Sequence, residues 1–126
     1  MNLPQTITGT VQHGNEIARH FGTPTANITA FEDVSALERG VYYSDITIDG
    51  RTYHSITNLG VRPTVSSSGR VNAETFIYDL DDDIYGKRVS VTLLDFRRPE
   101  KKFASTAQLF ETVRDDLLAG RAYHGI

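Results

Sequence analysis

Along most of the chain, β-branched and aromatic residues alternate with polar ones in short runs. "TITGTVQHG" opens the series and predicts a first strand. "GVYYSDITI" and "RTYHSITNLG" flank Asp49-Gly50, and Asp-Gly between two such runs signals a hairpin with a type I′ turn. "NAETFIYDL" and "KRVSVTLLDF" form another alternating pair, linked by "DDDIYG" as a hairpin connection. In the second of these, Val89, Val91 and Leu93 share one face, with Ser90 and Thr92 opposite. The period then lengthens. Ser105 and Gln108 make a capping box, and Leu109, Val113 and Leu117 recur every four residues, with Phe110 and Leu118 beside them. This predicts one amphipathic helix ending near Gly120. Strands followed by a single helix suggest a small antiparallel barrel or rolled sheet whose edge the helix covers. "VSSSG" at 65–69 reads as a loop.

Composition narrows the class. The chain has 126 residues, fitting a single domain, and its formal net charge is -3. An acidic balance disfavours a general nucleic-acid binder, which would present a basic face. There is no cysteine, hence no disulfide framework, thiolate nucleophile or cysteine zinc site. No stretch has the ~20 apolar residues of a membrane span, and the N-terminus lacks the pattern of a secretory signal. A cytoplasmic protein is expected.

Candidate chemistry lies in a few places. In "FGTPTANI" Pro24 fixes φ and biases Thr23 away from helix. The stretch should be extended, so Thr25 and Asn27 share a face. Their neutral oxygens suit a hard cation such as Mg²⁺, which takes few protein ligands and keeps water and phosphate oxygens; equally, Thr is a good strand residue and Asn a turn former. In "ETFIYDL", Glu74, Phe76, Tyr78 and Leu80 would point the same way. On a core-facing side Glu74 would be desolvated and its pKa raised, as a general base requires; the plainer reading starts the strand there and lets Glu74 reach solvent. A Walker A loop is absent. His13, His20, His54 and His124 show no metal-ligand spacing and read as surface or turn residues. "LDFRRPEKKF" reads as a solvated loop, or as a place where Arg97 or Arg98 meets an anion or a planar ring. Arg62 is a similar cation in "NLGVRPT". Asp81, Asp82 and Asp83 could bind a cation, but aspartates are favoured in such connections anyway.

Taken together, "GTPTANI", "NLGVRPT" and "AETFIYDLDDDIYGKRVSVTLLDFRRPEKKF" resemble the riboflavin kinase (flavokinase) family in order and spacing, from about Gly9 to about Leu118. The resemblance implies a mostly β fold, a six-stranded antiparallel, Greek-key-like barrel with one C-terminal helix. It implies transfer of the ATP γ-phosphate to the 5′-hydroxyl of riboflavin, giving FMN. Glu74 would be the catalytic base. Thr25 and Asn27 would hold Mg²⁺, with Zn²⁺ or Mn²⁺ as alternatives. Nucleotide phosphates would lie against Gly14, Arg19, Gly22, Pro24, Thr25 and Asn27, and the flavin against Arg62, Arg98 and Asp116. In bacteria such a unit is usually the C-terminal half of a bifunctional riboflavin kinase/FAD synthetase. Fusion or association with an FAD synthetase half is therefore a further expectation. Taken as complete, the chain would make FMN but not FAD; taken as part of a longer protein, it leaves that open. One segment departs from the family: "HGNEIARHFGTPT" places Glu16, Ile17 and Ala18 where small or basic residues are expected, and Thr23 where phenylalanine is usual. A catalytically weak flavin-binding or regulatory module on the same fold is the alternative, and a barrel binding nucleic acid or another protein a more distant one.

Overall fold

The computed structural model describes residues 2–12, 21–30, 36–61 and 71–126. Six strands form one sheet: β1 (Gln5–Thr10), β2 (Thr25–Thr29), β3 (Gly40–Ile48), β4 (Arg51–Val61), β5 (Val71–Ile77) and β6 (Arg88–Pro99). Among the described residues a single helix, α1 (Thr106–His124), follows. Every pairing is antiparallel, and the order across the sheet is β1-β6-β3-β4-β5-β2. The sheet curls until its edges meet. Gln12 N–H donates to the Asn27 carbonyl at 2.8 Å in an isolated bridge. Gly9 lies so close to β2 that an added Cβ would sit 3.0 Å from both the Ile28 Cβ and the Thr29 carbonyl oxygen. The result is the expected barrel, closed along that seam by contact rather than by a full ladder.

Alternation decides what faces inward. Ile7, Ile28, Tyr42, Ile46, Leu59, Ile77, Val91 and Leu93 are fully buried inside the barrel. Val89, Val91 and Leu93 do share that face, with Ser90 and Thr92 only half-buried. The interior also carries a polar ladder. Ser44 bonds Ser55 at 2.7 Å and Thr57 at 2.8 Å, and Thr57 bonds Thr75 at 2.9 Å. All four side chains are fully buried, so these hydroxyls satisfy one another.

The β3–β4 hairpin turns at Asp49 and Gly50, with φ of 51° and 79°, as a type I′ turn requires. Three expectations change. β5 and β6 are not neighbours, so "DDDIYG" crosses from one part of the barrel to another and is no hairpin connection. Its aspartates serve the local backbone: Asp82 Oδ1 accepts from Asp83 N–H at 2.9 Å, and Asp83 Oδ1 from Tyr85 N–H at 3.0 Å. The helix covers a face, not an edge: Val113 and Leu117 pack on Ile56, Phe76 and Tyr78 from the central strands. It also continues past Gly120 to His124 and ends at Gly125 in a left-handed cap. Gly120 is a notch rather than a stop, because a Cβ there would fall on the Tyr78 hydroxyl and the Ile56 methyl. Tyr78 donates to the Leu117 carbonyl at 2.7 Å, fixing the helix to the sheet. Leu118 points outward and is exposed. The capping box forms with one difference. Ser105 Oγ accepts from Gln108 N–H at 3.1 Å, while the Gln108 side chain accepts from Ala104 N–H at 2.8 Å.

Candidate active site

Cross-strand register builds the site. Asn27 on β2 stands opposite Glu74 on β5, Glu74 opposite Asn58 on β4, Asn58 opposite Val41 on β3, and Val41 opposite Arg98 on β6. These five residues form one row on the outer face of the barrel. The next row along runs Thr25, Phe76, Ile56, Tyr43. Glu74, Phe76 and Tyr78 therefore share a face as expected, but it is the face under α1, while Ala73, Thr75 and Ile77 point into the barrel. Leu80 does not continue the row; it lies beyond the strand and packs against the barrel core.

Burial pushes the Glu74 carboxyl above its ordinary 4.5, by desolvation. Its neighbours in the row are amides and apolar groups. Asn27 is buried, and its Oδ1 accepts from Asn72 Nδ2 at 2.8 Å. Asn72 lies two residues before Glu74, on the same face. Two buried oxygens in this patch, Thr25 Oγ1 and Asn72 Oδ1, have no hydrogen-bond partner among the described residues. Buried hydroxyl and amide oxygens left unpaired cost roughly 1–3 kcal/mol each unless a ligand satisfies them. A hard cation with water and phosphate oxygens fits Thr25 Oγ1 with Asn27 two residues along the same face: it needs only one or two neutral protein oxygens.

Two pockets flank the patch. One, of about 260 Å³, runs under α1, with Glu74, Asn58 and Phe76 from the sheet, Phe103, Leu109 and Val113 above, and Arg98 and Asp116 also lining it. Glu74 and Arg98 lie three strand spacings apart, on the order of 14 Å. The other, of about 290 Å³, is lined by Gly22, Thr23, Pro24, Tyr78, Asp79 and Arg121 among others.

Arg98 and Asp116 meet each other. Arg98 Nε and Nη2 donate to the two Asp116 oxygens at 2.9 and 2.6 Å, and Arg97 Nε adds a third bond at 3.0 Å. Asp116 is only 3% exposed, so this triad is a buried strut between β6 and α1. Arg97 and Arg98 are strand residues, and the anion they meet is Asp116. Gly14 and Arg19, with Glu16, Ile17, Ala18, His13 and His20, lie outside the described residues, as do Arg62 and the 65–69 loop. Sequence reasoning missed Asn72 and Asn58. Asn72 alternates with Glu74, a usable signal; Asn58 is placed only by the β4–β5 register.

The fold is a small antiparallel barrel, with a candidate ligand pocket between its outer face and its C-terminal helix. The family model described as riboflavin kinase matches residues 1–124, and the chain belongs to that family. It is 38% identical over 122 residues to a bifunctional riboflavin kinase/FMN adenylyltransferase of Pseudomonas fluorescens, covering 97% of this chain and 39% of that protein. It is 34% identical over 111 residues to an RNA-binding riboflavin kinase of Bacillus subtilis, covering 88% of this chain and 47% of that one. The chain thus spans under half the length of these relatives. Among solved structures, one titled a macrolide-efflux protein from Streptococcus pneumoniae superposes with a TM-score of 0.77 at 34% identity, over 94% of this chain and 38% of that one. Riboflavin kinase from Trypanosoma brucei shares the fold, with a TM-score of 0.62 at 23% identity, over 94% of this chain and 78% of that one. No described helix is long and apolar enough to cross a membrane.

Proposed function

We propose that this chain transfers the γ-phosphate of ATP to the 5′-hydroxyl of riboflavin. The observation that carries this is the pairing of a desolvated carboxyl, Glu74, with the orphaned oxygen of Thr25 and the amide of Asn27, between two pockets. The pocket under α1 takes the flavin, its aromatic walls at Phe76 and Phe103 facing a planar ring. The Arg97–Asp116–Arg98 strut shapes the far side and holds the guanidinium of Arg98 in the pocket wall. The ribityl hydroxyl comes to Glu74, which accepts its proton as the oxygen attacks the γ-phosphorus and the bridging oxygen leaves with ADP. ATP lies against the signature strand, its phosphates at Thr25 and Asn27 and its nucleoside toward Gly22 and Pro24.

Thr25 Oγ1 and Asn27 Oδ1 are the oxygens that would hold Mg²⁺, and the ion neutralises phosphate charge when bound. Asn72 positions Asn27 by donating to its Oδ1, which sets the amide with its oxygen on the Asn72 side. Gly14, Arg19 and Arg62 would add backbone and cationic contacts. A cysteine-free chain suits the reducing cytoplasm, where we place the activity. An adenylyltransferase half, in cis or as a partner, would consume the FMN. The test is chromatography of riboflavin incubated with the chain, ATP and Mg²⁺. FMN is the expected product. Riboflavin bound but unconverted would reject the kinase and leave a flavin-binding module.

A further inference from the structure

The last turn of α1 forms a second constellation, on the outer face of the β3–β4 hairpin. His54 lies four residues from Asn58 along β4, about 13 Å from the Glu74 row. His54 Nδ1 is 3.0 Å from Asp45 Oδ1, its cross-strand partner in register. His124 Nδ1 approaches the same Asp45 oxygen at 3.9 Å. One ligand atom from each of the three residues lies within 4.8 Å of the others.

The chemistry of His124 is specified by its surroundings. Its side chain is only 3% exposed, and its Nε2 lies 3.0 Å from the Ser55 carbonyl oxygen. A carbonyl can only accept, so Nε2 carries a hydrogen, and Nδ1 is the ring nitrogen left facing Asp45. An imidazole that donates one N–H to a backbone carbonyl and offers the other nitrogen is the usual state of a histidine metal ligand. Zinc bonds of ~2.0–2.1 Å in a tetrahedron place ligand atoms ~3.3–3.4 Å apart, between the two separations found here. The His54 ring stacks on His124 at 4.3 Å and, being about half exposed at 48%, has room to turn its Nδ1 onto an ion.

We propose that Asp45, His54 and His124 bind a borderline divalent transition-metal ion, of which Zn²⁺ is the type, with water in the fourth position. Two imidazoles and one carboxylate suit such ions and not Mg²⁺. The site staples the end of α1 to the β3–β4 hairpin, and it does not rest on the kinase assignment.

The test titrates Zn²⁺ alone, without nucleotide or flavin, into metal-stripped chain at neutral pH by calorimetry, with Tm read in parallel. One ion per chain is expected, with a Kd in the micromolar range or tighter and a raised Tm. His54→Ala and Asp45→Asn each alter a partly exposed side chain. Each should weaken binding at least about tenfold, the loss typical even for outer-shell partners of a metal, and cancel the Tm gain. Absence of one-to-one binding in the wild type overturns the site, as does affinity within about threefold of wild type in either variant. Binding carried by His13 or His20 would survive both substitutions and count against it.

Discussion

Strand β5 carries polar side chains on both faces, and the two faces treat them in opposite ways. Inside the barrel Thr75 joins Thr57, Ser44 and Ser55 in a ladder that leaves no hydroxyl unpaired. On the outer face Asn72 and Glu74, with Thr25 and Asn27 of β2, carry two buried oxygens with no partner among the described residues and a carboxyl held above its ordinary pKa. The same strand, at adjacent positions, thus carries a finished polar network and an unfinished one. Unpaired buried oxygens lower stability, and a site whose ligand brings the missing partners recovers that loss on binding. The difference separates polar groups that hold the fold from those that serve chemistry.

The sharpest way to break the comparison is Glu74→Gln. The amide keeps the shape and loses the base, so FMN formation should fall roughly 10²–10⁴-fold while riboflavin still quenches on binding. Turnover near wild type would take Glu74 out of the mechanism. Next comes Thr25→Val, which removes the orphaned oxygen without changing the side-chain volume much. Turnover should drop about 10–100-fold, with the loss concentrated in the Mg²⁺ and ATP dependence, and Tm should hold or rise. A fall in Tm would show that the Thr25 hydroxyl was structural after all.

The interior ladder should respond the other way. Thr57→Val deletes the hydroxyl that joins Ser44 to Thr75, and denaturant unfolding should show a loss of about 1–3 kcal/mol with kinetic constants barely moved. Gly120→Ala pushes a methyl onto Tyr78 and Ile56, where overpacking costs roughly 1–3 kcal/mol, partly offset by up to about 1 kcal/mol of helix propensity. The smallest effect is in pH. Desolvation raises the Glu74 pKa above 4.5, so the folded chain binds that proton more tightly than the unfolded chain. Stability therefore falls as pH rises from about 4.5 through the raised value, and stays lower above it. Glu74→Gln should remove that slope and raise stability at neutral pH, as read by denaturant unfolding across the pH range. An unchanged slope would mean that Glu74 reaches water.

Much of this was legible in the residues, and the limits have physical causes. The period-2 runs specified the strands, and Asp49-Gly50 specified the hairpin, because backbone and side-chain sterics act locally. Ser105 marked the start of α1 for the same reason. Gly120 misled because a glycine reads as a helix stop unless one knows that Tyr78 presses against it. The supposed β5–β6 pair failed because alternation reveals a strand but not its neighbour. His54 and His124 looked unrelated at seventy positions' remove, and the sheet and helix bring their rings to 4.3 Å.

The sequence by itself determined the elements from their local pattern, and the resemblance of its short motifs to a family singled out Thr25, Asn27 and Glu74. Those are properties of short stretches, set by local conformation and by residue chemistry. Only the tertiary structure decided which face Glu74 occupies, that Asn72 orients Asn27, that Arg98 is matched to Asp116, and that Asp45 meets two histidines. Each of these depends on register across strands or on where α1 lands. Such contacts join residues far apart in the chain, and their geometry follows from the closing of the barrel, not from any local preference.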